Sequence, residues 1–217
     1  MPRHIPIRFE TSFDPTLRKL LVQSIKENKI AKTAFNATLA LAAFGGILSI
    51  GVLAPNVLGG IAKLFDLTGR EQKRRYRYLW RGFYELRSSQ AFEFVQEKDG
   101  YHVYRSTELG RKKLKKLVFD ELQIQTPSKW SGKWSLVIFD IPKYFHKKRN
   151  ALRGKLKEMR FYQCQKSVWI HPFPCIEEVE FVKEMLDIKP FVKIFSVDKM
   201  TDGRALYNFK NILKKVV

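Results

Sequence analysis

Two cysteines, Cys164 and Cys175, are all that the 217 residues contain, and no disulfide framework can be built from them. A reducing compartment is expected, and with it a cytoplasmic location. Histidine is equally sparse: His4, His102, His146 and His171 are scattered, none at metal-ligand spacing beside a cysteine pair, so there is no zinc motif. The N-terminus, MPRHIPIRFETSFDP, lacks the charged start, apolar core and small-residue cleavage site of a signal peptide, which speaks against secretion. Acidic residues are scarce as well, 21 against 41 Lys plus Arg, for a formal net charge of +20. A surface of that sign repels itself and attracts polyanions: nucleic acid first, then an anionic membrane surface, then an acidic protein.

Charge of either sign is missing from residues 33–62, TAFNATLALAAFGGILSIGVLAPNVLGGIA, a run longer than the roughly 20 residues that cross a bilayer. Gly45-Gly46, Pro55-Asn56 and Gly59-Gly60 punctuate it, and such punctuation separates short helices in water-soluble domains. The expectation is therefore a pair of buried helices, about 33–44 and 47–64, and no membrane partner. A membrane contact through 33–62 is the alternative.

What is present is ordinary globular material. Hydrophobic residues make up 45% of the chain, enough to bury a core in each of two small domains and too many for a disordered chain. In REQKRRYRYLWRGFYELRSSQ, Tyr76, Leu79, Trp80, Phe83 and Leu86 recur at three- and four-residue steps, which predicts a strongly basic amphipathic helix. AFEFVQEKDGYHVYRST reads as two alternating strands about the turn Lys98-Asp99-Gly100, and helix resumes after Thr107. The Pro, Ser and Gly of QIQTPSKWSGK mark a linker at 123–133 between domains at 1–122 and 134–217.

The second domain opens with the apolar strand WSLVIFDIP. A basic helix follows, with Leu152, Leu156 and Met159 on one side, and then FYQCQKSVWIHPF as two strands broken near Lys166 and Ser167. A helix carrying Ile176, Val179, Phe181, Val182 and Met185 leads to a last strand, FVKIFSVDKM. This order is that of a split βαβ, ferredoxin-like domain. The first domain, read as helix, helix, basic helix, hairpin, helix, has the order of a winged helix-turn-helix. The fold class is thus α+β, a winged helix joined to a ferredoxin-like domain.

In a winged helix the third helix enters the major groove and the hairpin lies along the backbone. Arg70, Lys73, Arg74, Arg75, Arg77 and Arg81, with Lys98 at the hairpin, are then the candidate contacts to double-stranded DNA, because guanidinium forks match both phosphates and guanine edges. The plainer reading of each is a solvated cation on a helix whose Tyr76, Trp80 and Phe83 are core. In the second domain Asp140, at the end of an apolar strand, is a candidate ligand for a hard divalent cation such as Mg²⁺. A nuclease site would need a second carboxylate, from a symmetry mate or from Asp198 or Asp202; alternatively Asp140 caps the turn before the next helix. His171 is a candidate base or, more simply, a structural histidine before a proline.

The phrases WSGKWSLVIFDIP and RNALRGKLKEMRFYQCQKSVWIHPFPC resemble the PaaX-like transcriptional repressors, and RYLWRGFYELRSSQ with DGYHVYRSTELGRKKL gives a looser match to their winged-helix part. The resemblance covers residues 130 to about 200 best. It implies a DNA-binding regulator that dimerises, with a second domain similar to the Cas-two fold of CRISPR adaptation. In the nuclease-like relatives a strand-end Asp supplies a metal site across the dimer, and Asp140 is the matching position. The C-terminal domain of the longer repressors is not found before Val217, so their metabolite-responsive switching is not expected, and no cofactor is required. The alternative function is a metal-dependent nuclease or an adaptation-type scaffold.

Overall fold

The computed structural model describes residues 5–10, 14–26, 33–45, 47–48 and 69–216, with the side chains of Ile25, Lys26, Ile47 and residues 69–76 left out. The chain divides into two compact units, Met1–Glu121 and Leu122–Val217.

In unit 1 the described elements are β1 (Ile7–Glu10), α1 (Pro15–Lys26), α2 (Ala34–Ala43), β2 (Ile47–Leu48), α3 (Gly69–Ser88), β3 (Phe92–Lys98), β4 (Tyr101–Ser106) and α4 (Glu108–Glu121). Local chemistry accounts for their ends. The Thr33 hydroxyl accepts from the Asn36 amide at 3.1 Å and starts α2, and the Thr107 hydroxyl accepts from the Gly110 amide at 3.1 Å and starts α4. Asp99 and Gly100, with φ of 53° and 74°, supply the two left-handed residues of a tight hairpin turn.

The uncharged run finds its explanation in α2, whose residues Ala37 to Ala43 are all buried. A helix apolar on every side must be covered on every side. Among the described residues no helix is long and apolar enough to cross a membrane. The second helix expected at 47–64 does not begin where the run suggested, because Ile47 and Leu48 pair with Arg8 and Ile7 as a strand; residues 49–68 lie outside the described part.

A four-stranded sheet, ordered β2-β1-β4-β3, backs the helices. β1 runs parallel to β4, from Ile7 opposite His102 to Glu10 opposite Arg105. The sequence reading gave a hairpin alone here, since a four-residue strand held by partners some 95 positions away has no local signature. Phe83 of α3 joins helix to sheet, with its ring 5.0 Å from Tyr104, 6.2 Å from Phe9 and 6.4 Å from Phe92.

Unit 2 holds β5 (Trp134–Phe139), α5 (His146–Glu158), β6 (Tyr162–Gln165), β7 (Val168–His171), α6 (Ile176–Met185), β8 (Val192–Val197) and α7 (Gly203–Leu213). The strand order is β6-β7-β5-β8, every pair antiparallel, which is the ferredoxin-like arrangement. Alternation along β5 sorts the two faces. Phe139 lies under the Arg153 guanidinium of α5, and Ser135 donates to the Phe173 carbonyl, so this face looks to α5 and the start of α6. Leu152, Leu156, Met159, Val179 and Val182 are buried, as their spacing predicts; Ile176, counted with them, is 54% exposed because it occupies the first helical position.

The other face of the sheet packs on α7, an element beyond the last expected strand. Trp134 and Ile170 meet Ala205, Phe209 and Leu213 there. Trp130 is tied to the same layer: its indole donates to the Pro172 carbonyl at 2.6 Å, and its amide donates to the Val216 carbonyl at 2.9 Å.

α2 crosses α3 closely at Gly82. An added Cβ on Gly82 would collide with the Ala34 carbonyl and crowd the Thr38 hydroxyl, which itself lies 2.9 Å from the carbonyl oxygens of Ala34 and Leu79. Glycine inside a helix normally costs about 1 kcal/mol against alanine. Gly82→Ala is nevertheless expected to lower stability by about 1–3 kcal/mol, the usual cost of overpacking, seen as a lower urea midpoint at unchanged slope.

Candidate nucleic-acid interface

The basic residues of α3 divide between backbone and side chain. Arg70, Lys73, Arg74 and Arg75 have helical backbone, and nothing further of them is described. Arg77 and Arg81 are exposed one turn apart, while Leu79, Trp80, Phe83 and Leu86 are buried. Positions 70, 74, 77 and 81 fall in one line along the helix at steps of four, three and four residues. Arg81 borders a groove of about 570 Å³ whose other walls are Thr33, Ala34, Phe35, Tyr78 and Glu85. Burial pushes the Tyr78 phenol up, and the neighbouring Arg81 charge pulls it partly back. α2 begins at this groove and presents to it the positive end of its dipole.

The hairpin is less basic than α3. Lys98 stands exposed at the tip, beside Asp99. Arg105 lies between Glu10 and Glu93, at 3.6 Å from each, Arg8 is 3.9 Å from Asp99, and His102 is 3.8 Å from Glu97. Carboxylates thus accompany Arg105 on the hairpin and Arg8 on the strand beside it. From Phe92, which packs on α3, to Lys98 the strand runs about 20 Å, so Lys98 is well separated from that junction.

In unit 2 Asp140 is exposed at the end of β5, its amide donating to the Phe191 carbonyl at 2.9 Å. The cap reading of Asp140 is corrected by Pro142, which holds the N-terminal position of the 3-10 turn Lys143–Phe145 with no side-chain cap bond. Asp198 cannot complete a site with it in the same chain. Phe139 opposes Val192 and Trp134 opposes Val197, so Asp198 follows β8 at the far end of the sheet, about 20 Å away. The Asp202 carboxylate is committed to α7, accepting from the amides of Arg204 and Ala205 at 2.8 and 3.2 Å. Among the described residues no group of three or more His, Cys, Asp and Glu is placed to hold a metal ion.

The remaining titratable candidates are core groups. Burial pushes the Cys175 thiol up to about 12 and raises Cys164 as well, so both stay protonated at neutral pH. His171 is buried among Phe161, Phe173 and Phe209, and its Nδ1 accepts from the Phe173 amide at 3.2 Å. Burial holds its pKa down to about 4.

Residues 127–206, from the approach to β5 through the first turn of α7, match the family model described as the PaaX protein central Cas2-like domain. Unit 2 is PaaX-like. No curated protein matches the chain. The PaaX-like match reaches Arg204 but stops before Tyr207 and Lys210, which the sequence reading also passed over. A signal was there: Asp202 as a cap, followed by Ala205, Phe209 and Leu213 at four-residue steps.

The state of His171 has a measurable consequence for the PaaX-like unit. The unfolded chain takes up the proton near the ordinary 6.5, and the folded chain only near 4. The contribution is therefore complete above pH 6.5 and is lost as the pH falls toward 4, about 3 kcal/mol in all. Urea titrations at pH 7 and pH 5 should show a smaller loss in His171→Gln than in the wild type; an equal loss in both would remove His171 as the cause.

Proposed function

We propose that the chain is a cytoplasmic, DNA-binding transcriptional regulator of the PaaX-like kind, acting as a homodimer on double-stranded DNA. The observation that carries this reading is the line of basic positions on α3, with Arg77 and Arg81 exposed above a fully buried apolar side, in a chain of net charge +20. The PaaX-like second unit supports it. Unit 1 would serve as a winged helix, α3 supplying the groove contacts through Arg70, Lys73, Arg74, Arg75, Arg77 and Arg81, and Lys98 the contact of the hairpin tip.

Dimerisation is supported by the sheet of unit 2. Beyond the part that α7 covers, Ile138 and Phe195 are exposed at 38% and 46%, and Leu136 and Val168 on the same face are half-buried. Such a strip continues the apolar core to the surface and suits a second copy of the same face. A dimer should appear in sedimentation equilibrium, and Phe195→Glu should shift it to monomer; a wild-type monomer at tens of micromolar concentration would refute this part of the proposal.

Duplex binding followed by fluorescence anisotropy across a salt series tests the central claim. Log K is expected to fall linearly with log salt, and Arg77→Ala/Arg81→Ala should make the slope shallower by about 0.9 for each phosphate contact removed. A flat salt dependence in the wild type would overturn the reading. No metal is required: the DNA should stay intact with Mg²⁺ and with EDTA alike. Cleavage seen only with Mg²⁺ and lost in Asp140→Ala would put a metal-dependent nuclease in its place, with the second carboxylate coming from the partner copy.

A further inference from the structure

The outer side of α7 is chemically unlike the rest of unit 2. Ala205, Phe209 and Leu213 turn inward onto Trp134 and Ile170, which leaves Arg204, Tyr207, Asn208, Lys210, Asn211 and Lys214 exposed. From Gly203 to the last residue the chain carries four cations and no acidic side chain. The carboxylate that precedes this stretch in the chain, Asp202, caps the helix. Tyr162 of β6 and Gly203, with Arg204, Tyr207, Asn208, Lys210 and Asn211, wall an open groove of about 610 Å³.

Tyr207 is 70% exposed, and the Lys210 ammonium lies 3.8 Å from the centre of its ring. A large ring held in solvent against a cation gains little by itself. It becomes useful when a flat group stacks on it and an anion meets the neighbouring charges. Arg204 and Lys210, six residues and about 9 Å of rise apart on α7, offer donors for successive phosphates. Asn208 and Asn211, three residues apart and exposed, offer both donors and acceptors to the edges of a base. Bases inside a duplex have no open face to stack on a side chain, whereas bases of an unpaired strand do.

We propose that the groove between α7 and β6 binds single-stranded nucleic acid, with a base stacked on Tyr207 and the backbone phosphates held by Arg204 and Lys210. This site is built from residues of unit 2 alone and goes beyond the duplex reading: either can stand if the other fails.

The test uses the full chain and a fluorescent oligothymidylate, with affinity read by anisotropy. Tyr207→Ala is expected to weaken binding about tenfold, Tyr207→Phe to retain it, and Arg204→Ala/Lys210→Ala to weaken it and flatten its salt dependence. All three positions are exposed, and an unchanged thermal melt will show that the variants are folded. Ultraviolet crosslinking to an oligonucleotide carrying 5-iododeoxyuridine should label the tryptic peptide Ala205–Lys210. Thymidine monophosphate should not compete at equal nucleotide concentration. Unchanged affinity in Tyr207→Ala, labelling elsewhere, or competition by the mononucleotide would each overturn the proposal. So would an equal loss of duplex and single-strand binding in Tyr207→Ala, since that pattern marks a general phosphate contact.

Discussion

The close approach of α2 to α3 at Gly82 is the contact on which unit 1 depends. From Ala37 to Ala43 α2 is built of Ala, Leu and Thr with no charge and has no side that water can solvate, so it must be enclosed. It can be enclosed only by neighbours that come near enough to touch small side chains. Gly82 permits that distance, and the Thr38 hydroxyl, lying between two carbonyl oxygens, keeps the one polar group in the crossing satisfied. The crossing in turn fixes which side of α3 is buried. With Leu79, Trp80 and Phe83 committed to the inside, Arg77 and Arg81 have only the outside to occupy. The basic surface is thus a product of packing on the opposite side of the same helix.

The parts of the fold that could be read from the sequence are those set by neighbours along the chain. Asp99-Gly100 specified a turn, Thr107 a helix start, and the spacing of Leu152, Leu156 and Met159 a buried helix side. The break at Lys166-Ser167 separated two strands correctly. What escaped was set by distant partners. β1 owes its existence to β4, and β2 to β1, neither of which leaves a periodic trace in two to four residues. The same limit governed the candidate site. Nothing local in Asp140 and Asp198 says that antiparallel pairing sends them to opposite ends of the sheet. The α3 cations were legible as a cluster, and Lys98 as a hairpin residue, but the carboxylates that surround Arg105 come from β1 and β3 together.

Charge in unit 2 is distributed by element. α5 and the turn before it carry Lys143, Lys147, Lys148, Arg149, Arg153, Lys155 and Lys157 against Glu158, whereas α6 carries Glu177, Glu178, Glu180 and Glu184 against Lys183. The two are joined by Lys148, which meets the Asp187 carboxylate at 2.8 Å just past the end of α6. Each helix thus offsets part of the other's field, which eases the self-repulsion of a chain with this much positive charge. α7 itself carries Arg204 and Lys210 and no acidic side chain.

The bond from the Trp130 amide to the Val216 carbonyl places the approach to β5 and the turn after α7 side by side. A pull applied between those two points would load this clasp and the indole anchored at Pro172 before it reached any strand of the sheet. The same adjacency makes the unit a cassette. Joined by a short loop across residues 130 and 216 and opened at the β6–β7 turn, it would keep its strand order in a permuted chain.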